Sequence, residues 1–241
     1  MKTGVIGGGA WGTALAQVLA DGSDDVMLWA REPEVVAAIN DGHENALFLK
    51  GIPLSASIAA TGALSDLAGC EALLLVTPAQ HLRAVLAEAL VGARPLILCA
   101  KGIEAGTMQL MSEVAHEACP DAPIAVLSGP TFAHEVARGL PTAVTLAAQD
   151  ETLAAELAKA LASRGFRPYQ SSDVRGVEIG GAANISRIKF SATTSGAAAI
   201  ELDNAAGTLF KSYTYSSGVF ATDDWHCYAI TWNGTDLVLY K

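Results

Sequence analysis

The chain has 241 residues, of which 51% are hydrophobic and 17% charged, a profile that excludes intrinsic disorder and allows one large domain or two smaller ones. Its 25 acidic and 15 basic residues leave a formal charge of -10. With no basic stripe, such a surface repels polyanions, so nucleic acid is not an expected partner. The four cysteines, Cys70, Cys99, Cys119 and Cys227, show no CxxC spacing and no histidine placed to complete a metal site, so reduced thiols and no metal are expected.

From Thr3 to about Tyr169, short apolar runs alternate with amphipathic stretches, which predicts an α/β fold: a Rossmann-type, mainly parallel sheet with helices on both faces. Strands are predicted at 3–7, 26–29, 72–76, 96–99, 124–127, 143–146 and 165–169. Helices are predicted at 11–20, 34–39, 79–90, 107–118 and 151–163. Pro78 and Asp150 read as start signals for the helices at 79–90 and 151–163. The apolar runs fall far short of the roughly 20 residues that cross a bilayer, so no transmembrane segment is expected. Lys2 and the apolar stretch to Ala20 imitate a secretory leader, but five glycines in the first twelve residues suit a tight turn better.

Those glycines carry the first functional signal. Val5-Ile6-Gly7-Gly8-Gly9-Ala10-Trp11-Gly12 fits G-x-G-x-x-G between an apolar strand and a helix. Gly7 permits the turn, Gly9 lets a diphosphate approach the backbone, and Gly12 lets helix and strand pack closely. The anion then meets free N–H groups at the positive end of a helix dipole. Beyond the second strand, where an acid would bond a ribose 2′-hydroxyl, stands Arg31, whose guanidinium favours a 2′-phosphate. Glu32 beside it still allows the plain ribose, so NADP or NAD is the expected cofactor.

The glycine stretch 7–16, Leu28-Trp29-Ala30-Arg31, Val76-Thr77-Pro78-Ala79-Gln80, Ala100-Lys101-Gly102-Ile103-Glu104, Leu127-Ser128-Gly129-Pro130-Thr131-Phe132-Ala133 and Gly176-Val177-Glu178-Ile179-Gly180-Gly181-Ala182 occur in a fixed order. Over residues 1 to about 182 this series resembles the cofactor domain of bacterial-type NAD(P)-dependent glycerol-3-phosphate dehydrogenase. The resemblance implies reversible hydride transfer between NAD(P)H and dihydroxyacetone phosphate, giving sn-glycerol 3-phosphate for phospholipid synthesis in the cytoplasm. It places Ala10, Trp11, Arg31, Phe48, Gly129, Thr131 and Ala133 against the cofactor, and Lys101 against both cofactor and substrate. An ammonium at the carboxyl end of a strand suits that role, since it attracts phosphate or polarises a carbonyl. Ser128 to Ala133 argues against a related dehydrogenase for another small oxo-acid. The five histidines, His43, His81, His116, His134 and His226, form no site by this reading.

The resemblance breaks near residue 182. The family's catalytic lysine falls on Asn184, whose amide donates a hydrogen bond but delivers no proton at neutral pH. General acid help of about 10²- to 10⁴-fold is therefore expected to be lost. The helical substrate domain is replaced by residues 183–241, which hold nine of the fifteen aromatics. Alternation at Ile188, Phe190 and Ala192, and Asn233-Gly234 between two β-prone runs, predict an all-β tail with a hairpin. Asp224 to Thr235 and Leu237 to Tyr240 resemble the closing strands of a concanavalin-like or laminin-G-like sandwich. At 59 residues such a fold is incomplete, so self-association through exposed edges is expected. The chain thus reads as a truncated or chimeric dehydrogenase with a dinucleotide-binding domain at 1–182. The rival readings are a dinucleotide-binding module without turnover and a carbohydrate-binding role for the tail.

Overall fold

The computed structural model describes residues 1–22 and 25–178 in full, the backbone of 179–180, and the backbone of five strand segments beyond them. The chain opens with β1 (Thr3–Ile6), α1 (Ala10–Ala20), β2 (Val26–Trp29) and α2 (Pro33–Gly42). A short ribbon, β3 (Glu44–Asn45) with β4 (Leu49–Pro53), leads to β5 (Ile58–Thr61). Then follow β6 (Ala72–Leu75), α3 (Leu82–Glu88), β7 (Leu96–Leu98), α4 (Met111–Ala118), β8 (Ile124–Ser128) and α5 (Ala133–Ala137). β9 (Thr142–Ala148), α6 (Glu151–Leu161), β10 (Phe166–Ser171) and α7 (Val174–Gly180) complete this part.

Eight strands form one sheet in the order β10-β9-β8-β7-β6-β1-β2-β5. The strands from β5 to β8 are parallel, β8 and β9 pair antiparallel, and β9 and β10 are parallel to each other. β1 and β6 lie at the centre and every one of their residues is buried, which is why, Thr3 apart, they read as apolar runs.

The pleat divides the core in two. Val5, Leu28, Leu74, Ile97 and Leu127 face a layer holding Leu15, Val18, Ile39 and Leu157 from α1, α2 and α6. Ile6, Leu73, Leu75, Leu98 and Val126 face Leu82, Leu86, Met111, Val114 and Val177 from α3, α4 and α7. Helices therefore cover both faces, as the alternating pattern requires.

The predicted strands correspond to β1, β2, β6, β7, β8, β9 and β10. Two helices start later than their periodicity predicts. Residues 79–81 form a 3-10 turn before α3. α4 begins at Met111, since the Thr107 hydroxyl donates to Glu104 Oε2 at 2.6 Å and Met108 adopts φ +60°. α6 starts as expected: Asp150 Oδ1 accepts the N–H groups of Thr152 and Leu153. The β3–β4 ribbon, β5, α5 and α7 were not predicted. All are short; the ribbon and β5 bury only alternate or scattered residues, and α5 and α7 bury two and three adjacent ones among their described residues.

Beyond α7, β11 (Arg187–Ala192), β12 (Ala198–Asp203) and β13 (Leu209–Tyr215) pair antiparallel, as do β14 (Ala229–Trp232) and β15 (Leu237–Tyr240). Asn184 and the turn predicted at Asn233-Gly234 lie outside the described residues.

Candidate active site

Strand order reverses between β1 and β6, because β1 connects outward to β2 while the later strands build on the other side. Open α/β sheets bind ligands in the crevice at the carboxyl ends of strands beside such a switch point. Here that crevice is bordered by the glycine turn after β1, Val76 to Pro78 after β6, Lys101 after β7 and Gly129 after β8.

The three glycines have different physical duties. Gly7 has φ +133°, and a Cβ there would lie 2.8 Å from the Val76 carbonyl oxygen. A Cβ on Gly12 would lie 1.8 Å from the Gly7 carbonyl oxygen, so α1 can pack this close to β1 only through glycine. A Cβ on Gly9 would meet nothing within 4 Å. The turn is thus crowded from behind and open in front, where α1 begins with no acidic residue in its first turn. That end of the helix favours an anion.

Ala10 and Trp11 lie in the first turn of α1 and are half-buried against the core. Arg31 follows β2 beside the glycine turn; Ala30 is so close that a Cβ on Gly8 would stand 2.4 Å from its own. The Arg31 side chain is 75% exposed and its guanidinium lies 3.3 Å from Glu32 Oε1. Gly129, Thr131 and Ala133 lead into α5, which packs against α1, so this stretch lies at the same end of the sheet. Gly129 also has a packing reason, since a Cβ would come within 3.1 Å of the Ala143 carbonyl oxygen at the start of the neighbouring β9.

Phe48 is brought to the turn by a contact that sequence reading missed. Asn45 is fully buried. Its Nδ2 donates to the Gly8 carbonyl at 2.8 Å and to Thr13 Oγ1 at 2.8 Å, and its Oδ1 accepts the Phe48 N–H at 3.1 Å. Nothing local marks Asn45, because an Asn in a polar loop is commonplace. Thr77, at the end of β6, is also new to the site: its hydroxyl is buried with no hydrogen-bond partner among the described residues.

Lys101 Nζ donates to the Val177 carbonyl of α7 at 3.4 Å. Desolvation there pushes its pKa below the ordinary lysine value, opposed by Cys99 and Glu178. Glu178 is buried and takes the Ser112 N–H at 2.9 Å and the Ser112 hydroxyl at 2.5 Å, which fixes α7 over the start of α4. Cys99 is buried, and desolvation raises its thiol to about 12, so it is inert at neutral pH. The loop after Lys101 is held by Arg83, whose guanidinium makes two 2.9 Å bonds to Glu104 and reaches Gln109 and Glu117.

A cavity of about 430 Å³, lined by residues including Met1, Thr3, Leu19, Val26, Glu156 and Lys159, opens at the amino ends of β1 and β2. It is at the wrong end of the sheet for the chemistry and touches none of the candidate residues. Among the described residues no cluster of His, Cys, Asp or Glu is arranged to hold a metal, and no helix is long and apolar enough to cross a membrane.

Comparison with known proteins agrees with this geometry. The family model for the N-terminus of NAD-dependent glycerol-3-phosphate dehydrogenase matches residues 2–154. The chain is 58% identical over 184 residues to a glycerol-3-phosphate dehydrogenase, NAD(P)+ by name, of Parvibaculum lavamentivorans, covering 75% of this chain and 55% of that one. Identity to the Caulobacter vibrioides protein of the same name is 59%, covering 75% and 56%. The chain therefore spans about half the length of the curated relatives it matches. Among solved structures, glycerol-3-phosphate dehydrogenase of Coxiella burnetii superposes with a TM-score of 0.69 at 32% identity, covering 76% of this chain and 57% of that one. Crevice, glycine turn and sequence match together establish that the chain belongs to the NAD-dependent glycerol-3-phosphate dehydrogenase N-terminal family.

Proposed function

We propose that residues 1–182 form a dinucleotide-binding domain that holds NADP or NAD across the crevice, as the cofactor part of a glycerol-3-phosphate dehydrogenase. The observation that carries this reading is the contrast within one turn: Cβ atoms at Gly7 and Gly12 would collide with backbone, while one at Gly9 would stand in open space. Gly7, Gly9, Ala10, Trp11 and Gly12 would hold the diphosphate side, with Arg31 toward the adenosine ribose. Phe48, Gly129, Thr131 and Ala133 would border the rest of the cofactor. The exposed guanidinium of Arg31 supports acceptance of a 2′-phosphate.

The bound nicotinamide supplies or accepts the hydride in the family reaction, dihydroxyacetone phosphate to sn-glycerol 3-phosphate. Lys101, whose Nζ lies 3.4 Å from the Val177 carbonyl at the crevice rim, would meet the substrate. Reduction of the ketone also requires a proton on the carbonyl oxygen. Asn184 stands where the family has its lysine and cannot provide one. This chain is accordingly a nucleotide-binding form with impaired turnover, acting in the cytoplasm.

Titration of the chain with NADPH and NADH tests the binding, and NADPH oxidation with dihydroxyacetone phosphate tests the chemistry, with Asn184→Lys as comparison. Binding with slow turnover is expected. Rapid turnover by the unaltered chain overturns the role given to position 184, and failure to bind either nucleotide overturns the reading as a whole.

A further inference from the structure

We infer that Asn45 is a positioning residue for the nucleotide, aiming one main-chain donor at the diphosphate and holding Phe48 beside it. The inference rests on the reading of the crevice as a nucleotide site. Asn45 is fully buried, and its carboxamide is engaged on both sides: both Nδ2 bonds are 2.8 Å, to the Gly8 carbonyl and Thr13 Oγ1, and Oδ1 takes the Phe48 N–H at 3.1 Å. With its donors and acceptor all used inside the protein, the amide has one orientation.

The consequence for the glycine turn follows from peptide geometry. A trans peptide unit is planar, and its C=O and N–H point to opposite sides. Asn45 fixes the Gly8 carbonyl inward, so the N–H of the same peptide unit, that of Gly9, is turned outward. Gly9 is where an added Cβ meets nothing within 4 Å, and no main-chain carbonyl among the described residues takes its N–H. A donor set in place before the ligand arrives spares the cost of ordering it on binding. The Thr13 hydroxyl, also fully buried, reinforces the arrangement from α1 with a 3.4 Å contact to the same carbonyl.

The second effect is on the loop. Phe48 is 39% exposed, while the next residue, Leu49, is fully buried and anchors the loop from the other side. Tied by its own N–H to the carboxamide that grips Gly8, the Phe48 backbone is held close to the turn, and a planar ring of the dinucleotide is the natural counterpart of its part-exposed side chain. Aspartate at 45 would set a carboxylate against the Gly8 carbonyl oxygen, acceptor against acceptor, and release the peptide unit.

The test combines calorimetric titration of NADP+ with the amide spectrum of the ¹⁵N-labelled full chain, for the unaltered protein, Asn45→Asp and Phe48→Ala, each checked for folding by its melting curve. In the unaltered protein the Gly9 amide proton should move downfield as NADP+ binds. Asn45→Asp should bind about tenfold or more weakly and lose that shift, since a charge-assisted bond is no longer presented. Phe48→Ala should bind more weakly yet keep the shift. Unaltered affinity in folded Asn45→Asp, or a Gly9 resonance that stays in place while the unaltered protein binds, overturns the inference alone. Should Asn45→Asp fail to fold, the Gly9 resonance in the other two proteins decides. No NADP+ binding by the unaltered chain overturns the nucleotide reading itself.

Discussion

Two loops at the carboxyl end of the sheet are held by different physics. The glycine turn after β1 is held mainly by exclusion: backbone lies where side chains would be, and Asn45 ties down the Gly8 carbonyl. The loop after β7 contains Gly102, Gly106 and Met108 with positive φ and is held by attraction, with Arg83 gathering Glu104, Gln109 and Glu117 around one guanidinium. A steric restraint has no pH dependence. A charged one does, so the two parts of one crevice should answer differently to mutation and to acid.

The largest difference should come from the glycine turn. Gly12→Ala places a methyl 1.8 Å from the Gly7 carbonyl oxygen, backbone that cannot swing aside, and should destabilise the protein by on the order of 4 kcal/mol in denaturant unfolding. Gly12→Ala melting like the unaltered chain would show that α1 is free to slide on β1.

Arg83→Met comes next, because it strands the buried Glu104 carboxylate without its cation. Its melting temperature should fall, by less than that of Gly12→Ala, and the deficit should depend on pH. Hydrogen bonds from Arg83 and Thr107 hold Glu104 below its ordinary value of 4.5, so the folded protein takes up this proton less readily than the unfolded chain. The stabilisation is fully present above 4.5 and is lost as pH falls through the depressed folded value. The gap between Arg83→Met and the unaltered chain should therefore narrow in acid, and a gap constant from pH 7 to 3 would remove the charge from the explanation.

Smaller effects sharpen the contrast. Thr77→Val replaces a buried, unpartnered hydroxyl by a methyl and should raise stability by about 1 kcal/mol, read as a higher urea midpoint at unchanged slope. Gly9→Ala should leave stability within about 0.5 kcal/mol, since φ of -70° suits alanine and the methyl meets nothing. The same variant should lose nucleotide affinity, which would separate the ligand's requirement at position 9 from the fold's requirement at position 12.

Much of this was legible in the residues, for reasons of range. The glycine turn acts within six residues, and the central strands announce themselves because burial on both faces leaves Thr3 as the one polar residue in β1 and β6. Asp150 caps a helix two and three residues away. Asn45 was illegible because its partners lie 37 and 32 residues upstream and are named by the fold alone. The β3–β4 ribbon and β5 escaped for the same reason, since neighbouring chain rather than local pattern makes them strands. The late start of α4 turns on Thr107 bonding Glu104, a choice between helix and loop that periodicity does not register.

The single antiparallel pairing in the sheet decides where the chain departs. Because β9 runs against β8, β10 descends away from the crevice, and α7 must climb back toward it, arriving with Val177 at Lys101 and Glu178 at Ser112. Whatever sequence is joined after residue 180 is launched from the rim of the cleft. A strand reversal thus acts as a geometric address label for the chain that follows α7.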